Sequence, residues 1–227
     1  MRVLLNGVGR IGKAILRIAE EKKQFDIVVI NELNTNIKNI AYSINYDSTY
    51  GKLQDKYKVV ENTIQNKQSQ IKIFNFSNVF DIDFALHEID LIIDASGSIV
   101  DIDRVKKNCK IPLYLTHPNA KADINVILGV NEQAINYEQD KIISTSSCNA
   151  TALLPVLKFL DDKYSIDYGD ITTIHPLLNH QKTLDSACIG SHNRDVQCNF
   201  EFGRSSTQNM IPSKTTTIDA CSYVMPS

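Results

Sequence analysis

An apolar run, RVLLN, passes directly into the glycine pattern Gly7-x-Gly9-x-x-Gly12, and this junction constrains the fold more than any other feature of the chain. The glycines open a helical run, which a second apolar run, FDIVVIN, follows. Strand, turn, helix and strand within about 30 residues predict a βαβ unit. Gly7 permits the tight turn, Gly9 permits a pyrophosphate to approach the backbone closely, and Gly12 permits packing of the helix on the strand.

The same segment predicts a dinucleotide site. Phosphates bind at the N–H groups of a helix N-terminus, which here lie around Arg10 and Ile11. Glu32 stands 20 residues after Gly12 at the end of the second strand, where a carboxylate binds ribose hydroxyls and repels a 2′-phosphate. The pattern therefore favours NAD over NADP. A glycine-rich turn without a ligand, and a solvated carboxylate at Glu32, are the alternatives that the residues leave open.

Further along the chain, short apolar runs alternate with helical segments, which predicts a mostly parallel, doubly wound α/β sheet. Hairpin strands flank Asn66-Lys67, and the long irregular segment 179–216 is a candidate binding or contact loop. The remaining predicted strands are DLIIDASG (90–97), INVILGV (124–130), KIIS (141–144), GDITTIHPLL and TIDACSYVMPS, and the remaining predicted helices are NIKNIAYSI, IDRVKKN and CNATALLPVLKFLDDKY.

Composition and charge exclude several classes of protein. Of the 227 residues, 43% are apolar and 22% are charged, as in globular proteins, and the net charge of −2 favours neither nucleic acid nor an anionic membrane as a partner. The N-terminus lacks a signal-peptide pattern, and no apolar run reaches the roughly 18 residues of a membrane span. Five scattered cysteines without metal-ligand spacing indicate reduced thiols. We therefore expect a cytoplasmic protein without a metal site.

Cys148 is a candidate nucleophile. The helical run begins at this residue, and a helix N-terminus favours the anionic thiolate. Cysteine catalysis also needs a base, and His175 ends a strand-like run that returns toward the same helix. The residues alone leave two alternatives open, a buried structural thiol at Cys148 and an ordinary polar histidine at His175.

Eight motifs in this order resemble the glyceraldehyde-3-phosphate dehydrogenase family along nearly the whole chain. They are NGVGRIG, VVINEL, NYDSTYGK, DASG, ILGVN, STSSCNAT, TTIHPLLNHQKTLD and NMIPSKT. The resemblance implies a Rossmann-type NAD-binding domain over 1–148 and an incomplete α+β catalytic domain over 149–227. It also implies NAD-dependent oxidation of a phosphorylated sugar aldehyde, glyceraldehyde 3-phosphate first, by a cytosolic tetramer when full length.

Site residues follow from the matched motifs. The resemblance implies Cys148 as the nucleophile that forms a thioester and His175 as its base. The implied cofactor contacts are Gly7, Gly9, Arg10, Ile11, Gly12, Glu32, Ser96, Gly97 and Thr116, and the implied substrate-phosphate contacts are Ser147, Thr183 and Arg204. Without the family, Thr183 reads as a turn hydroxyl and Arg204 as a solvated loop charge.

Several features depart from the family pattern. Ala150 replaces a family threonine and Thr216 a family glycine, both at the attacking-phosphate site, so oxidation is a safer expectation than phosphorolysis. The segments INEL and LTHPNAKADINVILGVN resemble the erythrose-4-phosphate dehydrogenase branch, in which the acyl-enzyme is hydrolysed.

The loop between Asp185 and Asn209 is longer than usual, and the family continues well past residue 227. We therefore expect a fragment or a truncated form. A non-catalytic NAD-binding scaffold and an aspartate-semialdehyde-type reductase are the other classes considered.

Overall fold

The computed structural model describes residues 1–33, 36–97, 102–108, 110–179, 181–186, 203–213 and 215–225. Within these residues, nine strands form one sheet and two further strands form a hairpin. The strands are β1 Arg2–Asn6, β2 Asp26–Asn31, β3 Tyr46–Asp47, β4 Gly51–Lys52, β5 Lys58–Val60, β6 Thr63–Gln65, β7 Gln70–Phe74, β8 Leu91–Asp94, β9 Leu113–Leu115, β10 Ile124–Asn125 and β11 Ile142–Ser144. The helices are α1 Arg10–Lys22, α2 Ile37–Asn45, α3 Ile102–Asn108, α4 Cys148–Tyr164 and α5 Thr217–Ser222.

The sheet is mostly parallel and doubly wound, as predicted. Its strand order is β10-β11-β9-β8-β1-β2-β7-β6-β5, and every neighbouring pair from β10 to β7 is parallel. The antiparallel pair β6–β7 forms the expected hairpin around Asn66-Lys67, and β5 pairs with β6 in a second hairpin at the same edge. The order reverses between β1 and β8, so the carboxyl ends of these two strands define the switch point at which such sheets bind ligands.

Apolar side chains fill both faces of the sheet. Val3 and Leu5 of β1 are fully buried in one hydrophobic cluster, and Leu4 is fully buried in another. Successive residues of a strand point to opposite faces, so a continuous apolar run is what a sheet covered on both sides requires. The first predicted strand therefore lies at the centre of the molecule.

A third cluster joins the end of the chain to α4. Ala150 and Leu154 of α4 pack with Ala220 and Val224, which lie in and just after α5. The sequence predicted a strand in TIDACSYVMPS, and this prediction is wrong. The buried residues Thr217, Ala220 and Val224 recur at helical spacing, so packing against α4 decides the conformation in spite of the β-branched residues.

Two other predicted strands differ in the structure. The run 124–130 is a strand only over β10, because its second half turns into the third cluster. Residues 166–179 form no strand, and Ile174 in this segment is 87% exposed. A strand needs a neighbour for its backbone hydrogen bonds, and no described residue pairs with this segment. Residues 187–202 of the long loop 179–216, which include Cys188 and Cys198, lie outside the described residues.

Candidate active site

The glycine turn packs tightly against the backbone that follows β8. Gly7 has a positive φ of 92°, and a Cβ atom there would lie 2.6 Å from the Ser96 Cα. At Gly12, a Cβ atom would lie 2.0 Å from the Gly7 carbonyl oxygen. These contacts leave no space for a methyl group at either position, so packing alone requires both glycines.

Gly9 differs because its surroundings are open. It is the N-cap of α1 with no side-chain capping bond, and a Cβ atom there would have no neighbour within 4 Å. Arg10 and Ile11, the first residues of the helix, are exposed beside it. The N–H groups of the α1 N-terminus therefore face open space, which is the arrangement that a bound phosphate needs.

Glu32 lies against the same turn. Its carboxylate accepts a hydrogen bond of 2.7 Å from the Val8 N–H, so its position is tied to the glycine loop. On the other side of β1, Gly97 has a φ of 67° and the Thr116 N–H donates to the Asp94 carbonyl oxygen at 3.0 Å. The predicted cofactor contacts thus all lie at the carboxyl ends of β1, β2, β8 and β9.

Cys148 is exposed at the first position of α4. The Ser147 hydroxyl caps this helix and accepts a hydrogen bond of 3.2 Å from the Ala150 N–H. The preceding residue, Ser146, is buried with a positive φ of 62°. This turn presents the thiol at the helix N-terminus, where backbone N–H groups favour an anion.

His175 faces the thiol. The distance from Cys148 Sγ to His175 Nε2 is 3.6 Å, within the range of a sulfur hydrogen bond. His175 Nδ1 lies 2.8 Å from the Pro176 carbonyl oxygen, which can only accept. The proton is therefore assigned to Nδ1, and Nε2 presents its lone pair to the thiol. The structure thus places a base next to the candidate nucleophile.

Two polar side chains at this site, Asn149 and Thr217, were not predicted as site residues from the sequence. The Asn149 side-chain amide donates to the Thr217 hydroxyl at 3.1 Å, and Thr217 is itself 2.5 Å from the Thr215 hydroxyl. This bond links the nucleophile helix to α5. The run of three threonines, 215–217, was the available signal, but the strand predicted there concealed it.

The second free cysteine gives a contrast within the described chain. Cys221 is half-buried among apolar residues of the third cluster, and burial raises the pKa of its thiol. Among the described residues no histidine faces Cys221, whereas at Cys148 a histidine faces an exposed sulfur.

Thr183 and Arg204 lie together in a separate unit. The Thr183 carbonyl oxygen accepts from the Ser205 hydroxyl at 2.7 Å, and the Arg204 guanidinium pairs with Asp185 at 3.1 Å. Lys182 and Ser205 form an isolated bridge that joins the two segments. The structure therefore places these two predicted residues on paired segments, and no hydrogen bond among the described residues connects them to Cys148 or His175.

A doubly wound parallel sheet with a glycine turn at the switch point defines a Rossmann-type dinucleotide-binding protein. Residues 1–102 match the family model described as glyceraldehyde 3-phosphate dehydrogenase, NAD binding domain, and residues 147–227 match the model of the C-terminal domain. The chain belongs to the glyceraldehyde-3-phosphate dehydrogenase family, and NAD is the cofactor of its N-terminal domain.

Curated relatives carry the same family name. A glyceraldehyde-3-phosphate dehydrogenase 1 of Globodera rostochiensis is 32% identical over 99% of this chain and 69% of its own length. The enzyme named glyceraldehyde-3-phosphate dehydrogenase 1 in Kluyveromyces marxianus is 30% identical over 99% of this chain and 66% of its own length. A glyceraldehyde-3-phosphate dehydrogenase 2 of Staphylococcus aureus is 31% identical. The chain thus spans about two thirds of these relatives.

The described part of the chain lacks two other kinds of functional feature. None of its helices has both the length and the apolar character that a membrane crossing needs. It also contains no group of three or more histidine, cysteine, aspartate or glutamate side chains that could hold a metal ion.

Proposed function

We propose that this chain carries the reaction centre of an NAD-dependent oxidation of a phosphorylated sugar aldehyde. The approach of Cys148 Sγ to His175 Nε2, at 3.6 Å, carries the proposal. The family name of the relatives supports glyceraldehyde 3-phosphate as the first substrate. The residues assigned to cofactor and phosphate, the cytosolic location, the tetramer and the domain boundary near residue 148 belong to the same proposal.

The chemistry of the proposed step follows from the two side chains. Cys148 loses its proton to His175 and its sulfur attacks the aldehyde carbon. The imidazolium then returns this proton to the former carbonyl oxygen, which gives a neutral thiohemiacetal and leaves His175 free to act again. His175 then accepts the hydroxyl proton while the C–H bond breaks, and the carbon is oxidised to a thioester. NAD, when bound, supplies the hydride acceptor. The Cys148 backbone N–H, at the start of α4, is placed to stabilise the oxyanion.

A second candidate concerns the release of the acyl group. Ala150 stands where the family has a threonine that contacts the attacking phosphate, and it is fully buried against Leu154 and Ala220. The Ala150 side chain therefore belongs to an apolar cluster and has no polar group to offer an attacking phosphate. The observation favours hydrolysis of the thioester, and with it erythrose 4-phosphate as the second candidate substrate.

The experiment follows NADH formation by absorbance, with the purified chain, NAD and either sugar phosphate, with and without inorganic phosphate. Turnover that requires phosphate assigns phosphorolysis, whereas turnover without phosphate assigns hydrolysis. Cys148→Ala serves as the inactive control. If the chain binds NAD but forms no NADH with either aldehyde, it acts as a cofactor-binding protein and the proposal fails.

Thiol labelling tests the site independently of turnover. Iodoacetamide is expected to alkylate Cys148 well before Cys221, because the first sulfur is exposed and faces an imidazole while the second is half-buried. His175→Gln should slow labelling of Cys148 and leave that of Cys221 unchanged. Equal rates at the two cysteines would contradict the assigned nucleophile.

A further inference from the structure

A buried carboxylate at the switch point is only half satisfied. Asp94, the last residue of β8, is fully buried. Its Oδ1 atom accepts hydrogen bonds from the Asn6 side-chain amide at 2.8 Å and from the Ser96 hydroxyl at 2.6 Å. Its Oδ2 atom has no hydrogen-bond partner among the described residues. A buried carboxylate oxygen without a partner is costly, so it indicates a missing contact.

His117 faces this oxygen. Its Nδ1 atom lies 4.0 Å from Asp94 Oδ2, slightly beyond hydrogen-bond distance. Both ring nitrogens are shielded from water and lack a partner among the residues that the structure describes, although the side chain as a whole keeps 23% of its surface exposed. Three polar atoms without a described partner, Asp94 Oδ2 and the two ring nitrogens of His117, thus lie close together, and one side of the ring is accessible.

The backbone places His117 next to the nucleophile segment. It follows β9, and its carbonyl oxygen accepts a hydrogen bond of 2.8 Å from the Ser144 hydroxyl at the end of β11. The Ser144 hydroxyl oxygen also accepts from the Ser146 N–H at 3.1 Å, two residues before Cys148. His117 therefore lies between the carboxyl end of β8 and the turn that presents the thiol.

The topology indicates which part of the cofactor reaches this point. In doubly wound sheets a dinucleotide spans the switch point, with one nucleotide on each side of it. Glu32 lies at the end of β2, on one side of β1, and marks the adenosine half. Strands β8, β9 and β11 lie on the other side, so the nicotinamide nucleotide falls on the side of His117 and Cys148.

We propose that His117 binds the nicotinamide nucleotide of NAD and that Asp94 positions the imidazole for this contact. A bond from His117 Nδ1–H to Asp94 Oδ2 leaves Nε2 as an acceptor for a ribose hydroxyl or the carboxamide N–H₂. One ligand contact then satisfies all three unpartnered atoms. The proposal rests on the cofactor of the proposed function and does not require turnover.

The test compares NAD with ADP, which lacks the nicotinamide nucleotide, by calorimetric titration of the whole chain. His117→Ala should weaken NAD binding about tenfold, the loss of one hydrogen bond, and leave ADP binding unchanged. His117→Gln, whose amide can replace one ring nitrogen, should recover part of the loss. A variant that binds NAD as tightly as the parent, or loses NAD and ADP equally, would overturn the proposal.

Two further variants separate binding from folding. Asp94→Asn keeps an oxygen that accepts from Asn6 and Ser96 but presents an amide N–H₂ to His117. If the orientation of the imidazole matters, this variant should bind NAD more weakly and ADP as tightly as the parent. His87→Ala is the matched control, because His87 packs against Phe74, and its carbonyl oxygen accepts from Arg2 at the opposite end of β1. Thermal unfolding of each variant shows whether it folds. The two proposals can fail separately. If Cys148 is inert but His117→Ala still loses NAD binding and keeps ADP binding, the proposed function is refuted and this proposal stands.

Discussion

The three glycines of the turn have different physical reasons to be glycine. Gly7 and Gly12 are required by packing, since a methyl group at either would overlap backbone atoms. At Gly9 no neighbouring atom excludes a side chain, so packing does not require glycine there. A bound ligand that approaches the backbone is the reason for glycine at this position. The packing roles predicted for Gly7 and Gly12 are confirmed, because they depend on local geometry within one βαβ unit, whereas the phosphate role of Gly9 stays a prediction.

Gly9→Ala is therefore expected to weaken NAD binding by about tenfold or more while thermal stability stays close to that of the parent, because the methyl group would meet the phosphates and nothing else. Titration with NAD and a melting curve measure the two effects. Gly169→Ala is the matched control, since a methyl group there also has no neighbour within 4 Å. If NAD affinity were unchanged in Gly9→Ala, the phosphate site would lie elsewhere.

At the scale of elements, α1 is attached to the β3–β4 hairpin by an ion pair. The Asp47 carboxylate accepts from the Lys13 ammonium and from the backbone N–H groups of Thr49, at 2.8 Å, and Tyr50, at 3.0 Å. Both paired side chains are largely buried. The hydrogen bond from Lys13, followed by that from Tyr50, holds the pKa of Asp47 well below its usual range.

This depressed pKa predicts the pH dependence of stability. The folded pKa lies below the ordinary value of 3.8, so the stabilisation is fully present above that value and is lost as the pH falls below it. Asp47→Asn should lower the free energy of unfolding by about 2 kcal/mol at pH 7, and the difference from the parent should shrink in acid. Urea unfolding at a series of pH values measures this difference.

Asp103→Asn provides the control for the ion pair. Asp103 also pairs with a lysine, Lys121, but both side chains are more than half exposed, so its removal should change stability little. An equal loss of stability for Asp47→Asn at neutral and acidic pH would show that the charge of Asp47 is not the cause.

Helices and strands were predicted correctly where the hydrophobic pattern was long. The predictions failed where the element depends on a packing or pairing partner that is absent from the described residues or distant in sequence. The strands of the βαβ unit and the 17-residue helix α4 appear as predicted, because hydrophobic periodicity determines them locally. The segment 166–179 has apolar residues suited to a strand but no described strand beside it. Helix α5 forms because α4 offers an apolar face, and the short segment 217–222 does not by itself distinguish a helix from a strand.

For the whole molecule, the sheet and the segment after α4 are expected to differ in stability. Strands β1, β2 and β8 are hydrogen-bonded on both sides within the sheet. Residues 166–178 have no such neighbours among the described residues, and their apolar side chains include Tyr168 and Ile174, each 87% exposed. The free energy needed to expose backbone amides to solvent is therefore lower in the second region.

Hydrogen exchange followed by mass spectrometry measures this difference. Peptides from β1 and β8 should keep their amide hydrogens far longer than the peptide 166–178, which should exchange within the shortest labelling time. A peptide of intermediate burial, such as β5–β6 at the sheet edge, gives the reference between them. Protection of 166–178 equal to that of β1 would show that another surface covers this segment in solution.

The sequence alone determined the doubly wound fold, the dinucleotide turn and the position of Cys148 at a helix N-terminus. These features depend on the periodicity of side chains and the conformational freedom of glycine, both of which act over a few neighbouring residues. Tertiary structure decided the rest. It placed His175 against Cys148 across 27 positions of the chain, and it placed His117 against Asp94 at the carboxyl ends of the neighbouring strands β9 and β8. Side chains far apart in sequence meet only after the sheet has set the order of its strands.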